Sequence, residues 1–409
     1  MNINLMLLIK TSFFLLIPSV FLAQATDSIK PITTQENNNI KKEWYEKINV
    51  RGYAQARYNT LGTNDKLTCE QCDKSIGGDD DFFLRRIRII FYGQISKQVY
   101  FYIQPDFASS AGSSGNIAQL RDAYFDLGLD EENIFRFRVG QSKIPFGFEN
   151  MQSSQNRLSL DRNDGLNSAV ANERDLGVFF YWTPKKVQER MKYISKNGLK
   201  GTGNYGMFGL GIYNGQTPNQ PERNDNKHIV ARLSYPIQLG NQLIEPGIQG
   251  YAGEYTFDKS KISAGTKINS DFTYKDQRAA ATLVLYPQPF GIQAEYNIGR
   301  GPEFNKLTDS IEVKNLHGGY VTLSYLQKIK NHTFIPFVRA HYFEGGKKHE
   351  TDARSYVVKE LEIGIEWQPA KSFELVVMYT TSDRIYEDFS LRNNHQKGSL
   401  LRLQAQVNF

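Results

Sequence analysis

Only two cysteines stand among the 409 residues, Cys69 and Cys72, in the run Thr-Cys-Glu-Gln-Cys-Asp. A structural zinc site takes four Cys or His ligands. No further pair follows at similar spacing, so no metal is expected. A Cys-x-x-Cys pair is either a redox couple or, in an exported chain, a disulfide stapling a small loop; the disulfide is the reading adopted. Histidine is scarce too. None of the six, His228, His317, His332, His341, His349 and His395, sits beside a serine in a nucleophile motif. A lipid hydrolase would need a Ser-His-acid constellation, so no enzymatic activity is expected. A dominant charge of one sign is also missing. With 49 basic and 43 acidic residues the net charge is +6, which gives no reason to expect a nucleic-acid partner. No internal repeat points to a propeller, and no cofactor is expected.

Beyond residue 25 the chain also lacks any apolar run approaching the ~20 residues of a membrane-spanning helix. Its mean hydropathy of −0.49 would suit a water-soluble protein. A transmembrane β-barrel produces the same low average, because its strands alternate lipid-facing and lumen-facing residues. What the chain has in abundance agrees: aromatics make up 13%, with 26 Phe and 23 Tyr, and barrels carry aromatic girdles at both interfaces. Residues 1–25 have the layout of a cleaved secretory signal. Lys10 precedes the apolar run Phe13 to Ala23, and Ala23-Gln24-Ala25 is a small-x-small cleavage pattern. The run is too short for an uncleaved anchor. A polar periplasmic linker is expected over 26–46, and a barrel domain over 47–409.

From Lys47 onward the sequence becomes a succession of alternating segments separated by turn clusters. In the first, Ile48, Val50, Ala54, Ala56 and Tyr58 share one face; Asn49, Arg51, Gln55, Arg57 and Asn59 share the other. The last alternates Leu401, Leu403, Ala405, Val407 and Phe409 with Arg402, Gln404, Gln406 and Asn408. A period of two decides strand over helix. Fourteen further segments lie between, so the expected fold is all-β, an antiparallel transmembrane barrel of about 16 strands in the bacterial outer membrane. Short turns, such as Ser96-Lys97-Gln98 and Lys330-Asn331-His332, alternate with longer polar loops. The third loop, about 143–173, is the longest and is expected to fold inward. The connection Thr183 to Asn204 is the exception: periplasmic by parity, yet long and basic. It holds either a short helix or extended strands. A soluble sandwich would not accept rows of Arg and Gln on one face of strand after strand.

The same parity places charges in the lumen. Arg86 and Arg88 alternate with Ile87, Ile89 and Phe91; Arg136 and Arg138 alternate with Phe135, Phe137 and Val139. Arg232, Arg339 and Arg402 follow suit. Inward acids by the same test are Asp106, Asp122, Asp126, Glu295, Glu360, Glu362 and Glu366. Pairing across the wall is the plain role for any one arginine. Because arginines concentrate on early strands and acids on a late one, a local basic excess on one side of the lumen would favour anions. The third loop adds Lys143, Arg157, Arg162 and Arg174, cations it would carry to a constriction.

The run Val139-Gly140-Gln141-Ser142-Lys143-Ile144-Pro145-Phe146-Gly147-Phe148-Glu149, followed by Arg174-Asp175-Leu176-Gly177-Val178, resembles the phosphate-selective porin O and P family. Phe83-Leu84-Arg85-Arg86-Ile87-Arg88, Leu120-Arg121-Asp122-Ala123-Tyr124, Tyr213-Asn214-Gly215 and the terminal Phe409 extend the likeness over nearly the whole mature chain. The resemblance implies a 16-stranded porin, commonly a homotrimer, passing small anions through a constriction formed partly by the third loop. Phosphate or polyphosphate is the implied solute, and outer-membrane lipid the surrounding partner. The alternatives are a general non-specific porin and a structural or adhesive barrel with a closed lumen.

Overall fold

The computed structural model describes residues 43–61, 81–111 and 114–409. Cys69, Cys72, the expected signal segment and most of the expected linker lie outside the described residues. A short 3-10 turn, Trp44–Lys47, leads into the first strand.

Sixteen antiparallel strands form one closed barrel. They are β1 Asn49–Leu61, β2 Asp81–Gln94, β3 Val99–Ala111, β4 Ser114–Gly128, β5 Phe135–Lys143, β6 Arg174–Trp182, β7 Phe208–Tyr213, β8 His228–Ser234, β9 Gln242–Thr256, β10 Thr273–Leu285, β11 Phe290–Asn305, β12 Ser310–Tyr325, β13 His332–Gly346, β14 Ser355–Ala370, β15 Phe373–Glu387 and β16 His395–Asn408. After Pro236, which has no N–H for the ladder, Ile237–Leu239 continues β8. Gln327–Ile329 likewise continues β12.

Neighbours in sequence pair in space, and β1 closes the circle by pairing with both β2 and β16. At that seam the terminal residue is fixed by the backbone: Phe409 and Gly52 exchange two hydrogen bonds, of 2.7 and 3.0 Å. Among the described residues closure leaves no unpaired strand edge, a condition for backbone exposed to hydrocarbon.

Period-two patterning sorts the side chains. Phe91, Ile103, Phe125, Phe137, Val178, Ile212, Leu233, Ile248, Ile298 and Ile363 point outward and are exposed, while Gln55, Arg57, Arg88, Asp106, Arg138, Asn297, Arg339 and Arg402 point inward and are buried. A water-soluble protein would bury the first set and expose the second; a lipid-embedded barrel does the opposite. Aromatic rings gather near the end that carries the short turns, where Phe135 stacks on Trp182 at 6.3 Å and Phe334 on Trp367 at 6.4 Å. With long polar loops at the far end, this is the periplasmic rim.

The connection between β6 and β7 holds a helix, α3, Lys185–Lys196. Val187, Met191 and Ile194, spaced four and three apart, form its buried stripe, and Lys185, Lys186, Lys192 and Lys196 lie exposed. Its C-terminal continuation turns back toward the barrel. Two shorter helices, α1 Phe148–Met151 and α2 Asp164–Ala169, lie in the connection between β5 and β6.

Candidate functional site: the charged lumen

The β5–β6 connection, residues 144–173, is fastened to the inward faces of the later strands. The Phe148 N–H donates to Glu295 at 2.6 Å, Ser159 donates to Glu362 at 2.6 Å, and Arg339 pairs with Glu149 at 3.3 Å. Asp161 pairs with Arg402, and Asp164 with Lys347 and, at 3.1 Å, with Arg384. Arg278 donates to the Ser168 carbonyl at 3.0 Å. Asp164, His341 and Glu360 come close enough to suggest a metal triad. The ammonium of Lys347 and the guanidinium of Arg384 already neutralise Asp164, so the cluster is a loop anchor.

The string from Gly140 to Glu149, leading into this connection, has a backbone reason. Gly147 caps α1 with φ +83°, in the left-handed region, and an added Cβ would stand 2.2 Å from Leu166 Cδ1. Only glycine meets both conditions without strain. Phe146 beside it packs edge-on to Tyr251 at 4.9 Å, and Pro145 is buried. Gly140, at φ +122°, lets β5 approach β4 so closely that a Cβ would lie 2.3 Å from the Ala123 carbonyl. Glu149 accepts from the backbone and side chain of Asn163 at 2.9 and 3.0 Å, joining the two ends of the loop. Asp175 accepts from the N–H of Gly215 at 2.7 Å and of Thr217 at 3.2 Å, so two separated motifs meet at one carboxylate.

The open space lies between the loop and β1–β5, reaching at its outer end the connections after β7 and β9. Two chambers occupy it. The outer one, about 490 Å³, is lined by Arg85, Arg86, Arg88, Arg121, Arg157, Arg162, Arg223 and Lys261 against four carboxylates, Asp106, Asp161, Glu173 and Asp258. The inner one, about 410 Å³ and nearer the periplasmic rim, is lined by Arg51, Arg136, Arg138, Arg174 and Lys143 against Asp122 and Asp126. Among the described residues both carry a basic excess.

Many of these cations are pinned. Arg88 pairs with Asp106 at 2.7 Å and donates to Tyr53 at 2.8 Å. Arg138 grips Asp126 with two bonds, of 2.7 and 2.9 Å, and Arg136 approaches the same carboxylate at 3.4 Å. Arg174 holds Asp122 at 2.8 Å. Lys143 points into the loop, donating to the carbonyls of Asn150 and Gln152 at 2.8 and 2.7 Å. Four cations, Lys143, Arg157, Arg162 and Arg174, converge on Glu173. Burial raises the pKa of Glu173, but Lys143, Arg162, Arg174 and Arg157 together outweigh it and hold the carboxyl well below the usual range. The loop therefore brings its own counter-charge with its cations.

Arg86 and Arg121 differ from the rest. Arg86 donates to Gln55 at 2.8 Å, Arg121 donates to Gln119 at 3.2 Å, and neither has a carboxylate partner among the described residues. Among the described residues these two leave uncompensated charge in the outer chamber. On the opposite wall the three acids of β14 are paired: Glu360 with Arg384, Glu362 with Arg339 and Arg402, Glu366 with Lys200.

Strict alternation misses two of the outer chamber's arginines. In the β1–β2 ladder Gln55 faces Arg86 and Ala56 faces Leu84, so Arg85 is an extra, bulged residue. In the β3–β4 ladder Gln104 faces Asp122 and Pro105 faces Leu120, which bulges Arg121. A bulge re-aims one side chain against parity, and both reach the chamber. Glu173, Lys200 and Lys347 are missed for another reason: they lie in loops, where no period reports direction.

A closed 16-stranded barrel with an apolar exterior and a charged, partly open interior defines an outer-membrane channel protein of the porin class. The chain belongs to the phosphate-selective porin O and P family, whose sequence profile matches residues 68–409. Among solved structures it is similar to the outer membrane channel DcaP of Acinetobacter baumannii, with 14% identity, TM-score 0.55, and 88% of this chain and 97% of that chain covered. It is also similar to Salmonella typhi OmpF in complex with daunomycin, with 13% identity, TM-score 0.52 and the same coverage. At such identity the likeness is one of fold. A search of curated sequences finds no match.

Proposed function

We propose that the protein is a passive, water-filled channel that favours small anions, with phosphate or polyphosphate as its solute, and that residues 144–173 form its constriction. The observation that carries this reading is the basic excess of the outer chamber, with Arg86 and Arg121 free of carboxylate partners among the described residues. A guanidinium presents a planar fork matched to two phosphate oxygens. Passage needs weak, repeated sites, because one deep site would trap the ion. The pinned arginines Arg88, Arg136, Arg138 and Arg174, with Lys143, Arg157 and Arg162, supply such a graded series: their carboxylates offset part of each charge and leave the rest to attract.

The test is competition in single-channel recording. Phosphate and short polyphosphate, added on the outer side, are expected to reduce the chloride current at lower concentration than sulfate does. Equal effects of all three would leave a general anion channel and remove the phosphate reading. The proposal extends to a homotrimer, as the family resemblance implies, which the mass of the detergent-solubilised protein decides; a monomer mass would overturn it.

A further inference from the structure

The inner chamber differs from the outer one in a way that phosphate does not explain. Four tyrosines, Tyr100, Tyr102, Tyr124 and Tyr205, line it. Tyr102 and Tyr124 are cross-strand partners on β3 and β4, stacked at 5.2 Å with 12° between their planes. Arg138 lies over the Tyr124 ring at 3.9 Å while its Nε and Nη2 donate to Asp126, so it serves as a flat surface more than as a free charge. All four tyrosines are half-buried, with ring area left toward the chamber.

Free polar capacity sits beside the rings. Arg51 rests over Tyr92 at 5.4 Å and has no carboxylate partner among the described residues. Gln104 is only 4% exposed, lines the chamber, and its Nε2 has no hydrogen-bond partner. A buried amide donor without an acceptor costs free energy until something supplies one.

The chamber also has a floor. After α3 the chain runs through Leu199 and Lys200 into the barrel, where Lys200 pairs with Glu366. Ile194 and Leu199 pack in one apolar cluster with Phe148 of the β5–β6 loop, and Gln152 donates to the Lys200 carbonyl. Thr202, Gly203, Asn204 and Tyr205 then line the chamber from the periplasmic side. The β6–β7 insert thus meets the loop from below and bounds a compartment of about 410 Å³, within the ~300–1,000 Å³ of small-molecule sites.

We propose that this inner chamber is a second solute site, selective for organic anions that carry a flat aromatic ring, such as aromatic carboxylates. Tyrosine faces receive the ring, in offset or edge-on contact. The carboxylate takes the guanidinium of Arg51 and the free amide donor of Gln104. Inorganic phosphate gains nothing from the rings, so the two chambers sort solutes by shape as well as charge. This inference rests on the channel reading for its transport role, but the binding site stands apart from it.

The test compares benzoate with cyclohexanecarboxylate, equal in charge and close in size but without an aromatic face. Added on the periplasmic side of single channels, benzoate is expected to block the chloride current at about tenfold lower concentration. Tyr205→Ala, in the insert and outside the barrel wall, should abolish that preference and leave phosphate block unchanged. Equal block by the two carboxylates, or a preference that survives Tyr205→Ala, would overturn the proposal. Calorimetric titration of benzoate into the solubilised wild-type protein separates the two readings. Ring-selective binding without conductance steps upholds the site and removes the channel; conductance without ring-selective binding does the reverse. Should Tyr205→Ala fail to fold, Arg51→Gln serves in its place, and undiminished benzoate binding then counts against the site.

Discussion

At the scale of the residue, the lumen is decided by which charges have partners. A unit charge ~8 Å from a permeating ion in water is worth about 0.5 kcal/mol. Removing two from one chamber is therefore worth about 1 kcal/mol, or roughly fivefold in relative permeability. Replacing Arg86 and Arg121 together by Gln should lower the chloride-to-potassium permeability ratio by about that factor at low salt and by less at high salt, where screening shortens the reach of each charge. An unchanged ratio would place the selectivity elsewhere. Gly147→Ala tests a backbone role in the same loop: a left-handed residue and a clash with Leu166 should cost about 1–3 kcal/mol. Earlier loss of compact mobility on heating in detergent would register it, and wild-type behaviour would show that the loop tolerates the change.

The elements divide into those that alternation makes legible and those that it does not. Strands read well, because lipid outside and water inside impose period two on each of them. The inward placement of Arg86, Arg88, Arg136, Arg138, Arg339 and Arg402 follows from that rule alone. It fails at the bulges of β2 and β4, where one added residue turns Arg85 and Arg121 inward, and it is silent in the connections. Glu173, which gathers four cations, and the anchors Asp161 and Asp164 had no periodic signal. The basic stretch after Thr183 was anomalous in sequence for its length, and its apolar spacing at Val187, Met191 and Ile194 is what a helical reading needed. If its continuation floors the inner chamber, replacing residues 184–206 by a short turn should raise single-channel conductance. A conductance equal to or below that of the intact protein would show that the insert obstructs nothing.

Across the whole molecule, the loops that meet in the outer chamber keep fixed charges over the ordinary pH range. Burial, reinforced by Lys348, holds the His349 imidazole well below its usual value, so it stays neutral. Asp161 is raised by burial but lowered further by Arg402, Arg57 and Arg85, ending at about 2 against an ordinary 3.8. Its anchoring contribution is present in full above the ordinary value and is lost as pH falls through about 2. Selectivity should therefore stay level between about pH 5 and pH 8, with current noise from a loosened loop appearing only as pH drops below about 3. A selectivity change centred near neutral pH would contradict this charge assignment. The central claim, that a basic excess along one side of a 16-stranded lumen makes the channel anion-preferring, is tested most directly by the reversal potential of the reconstituted protein under a potassium chloride gradient. The predicted potential has the sign of chloride permeating faster than potassium; a potential of zero or of the opposite sign would contradict it.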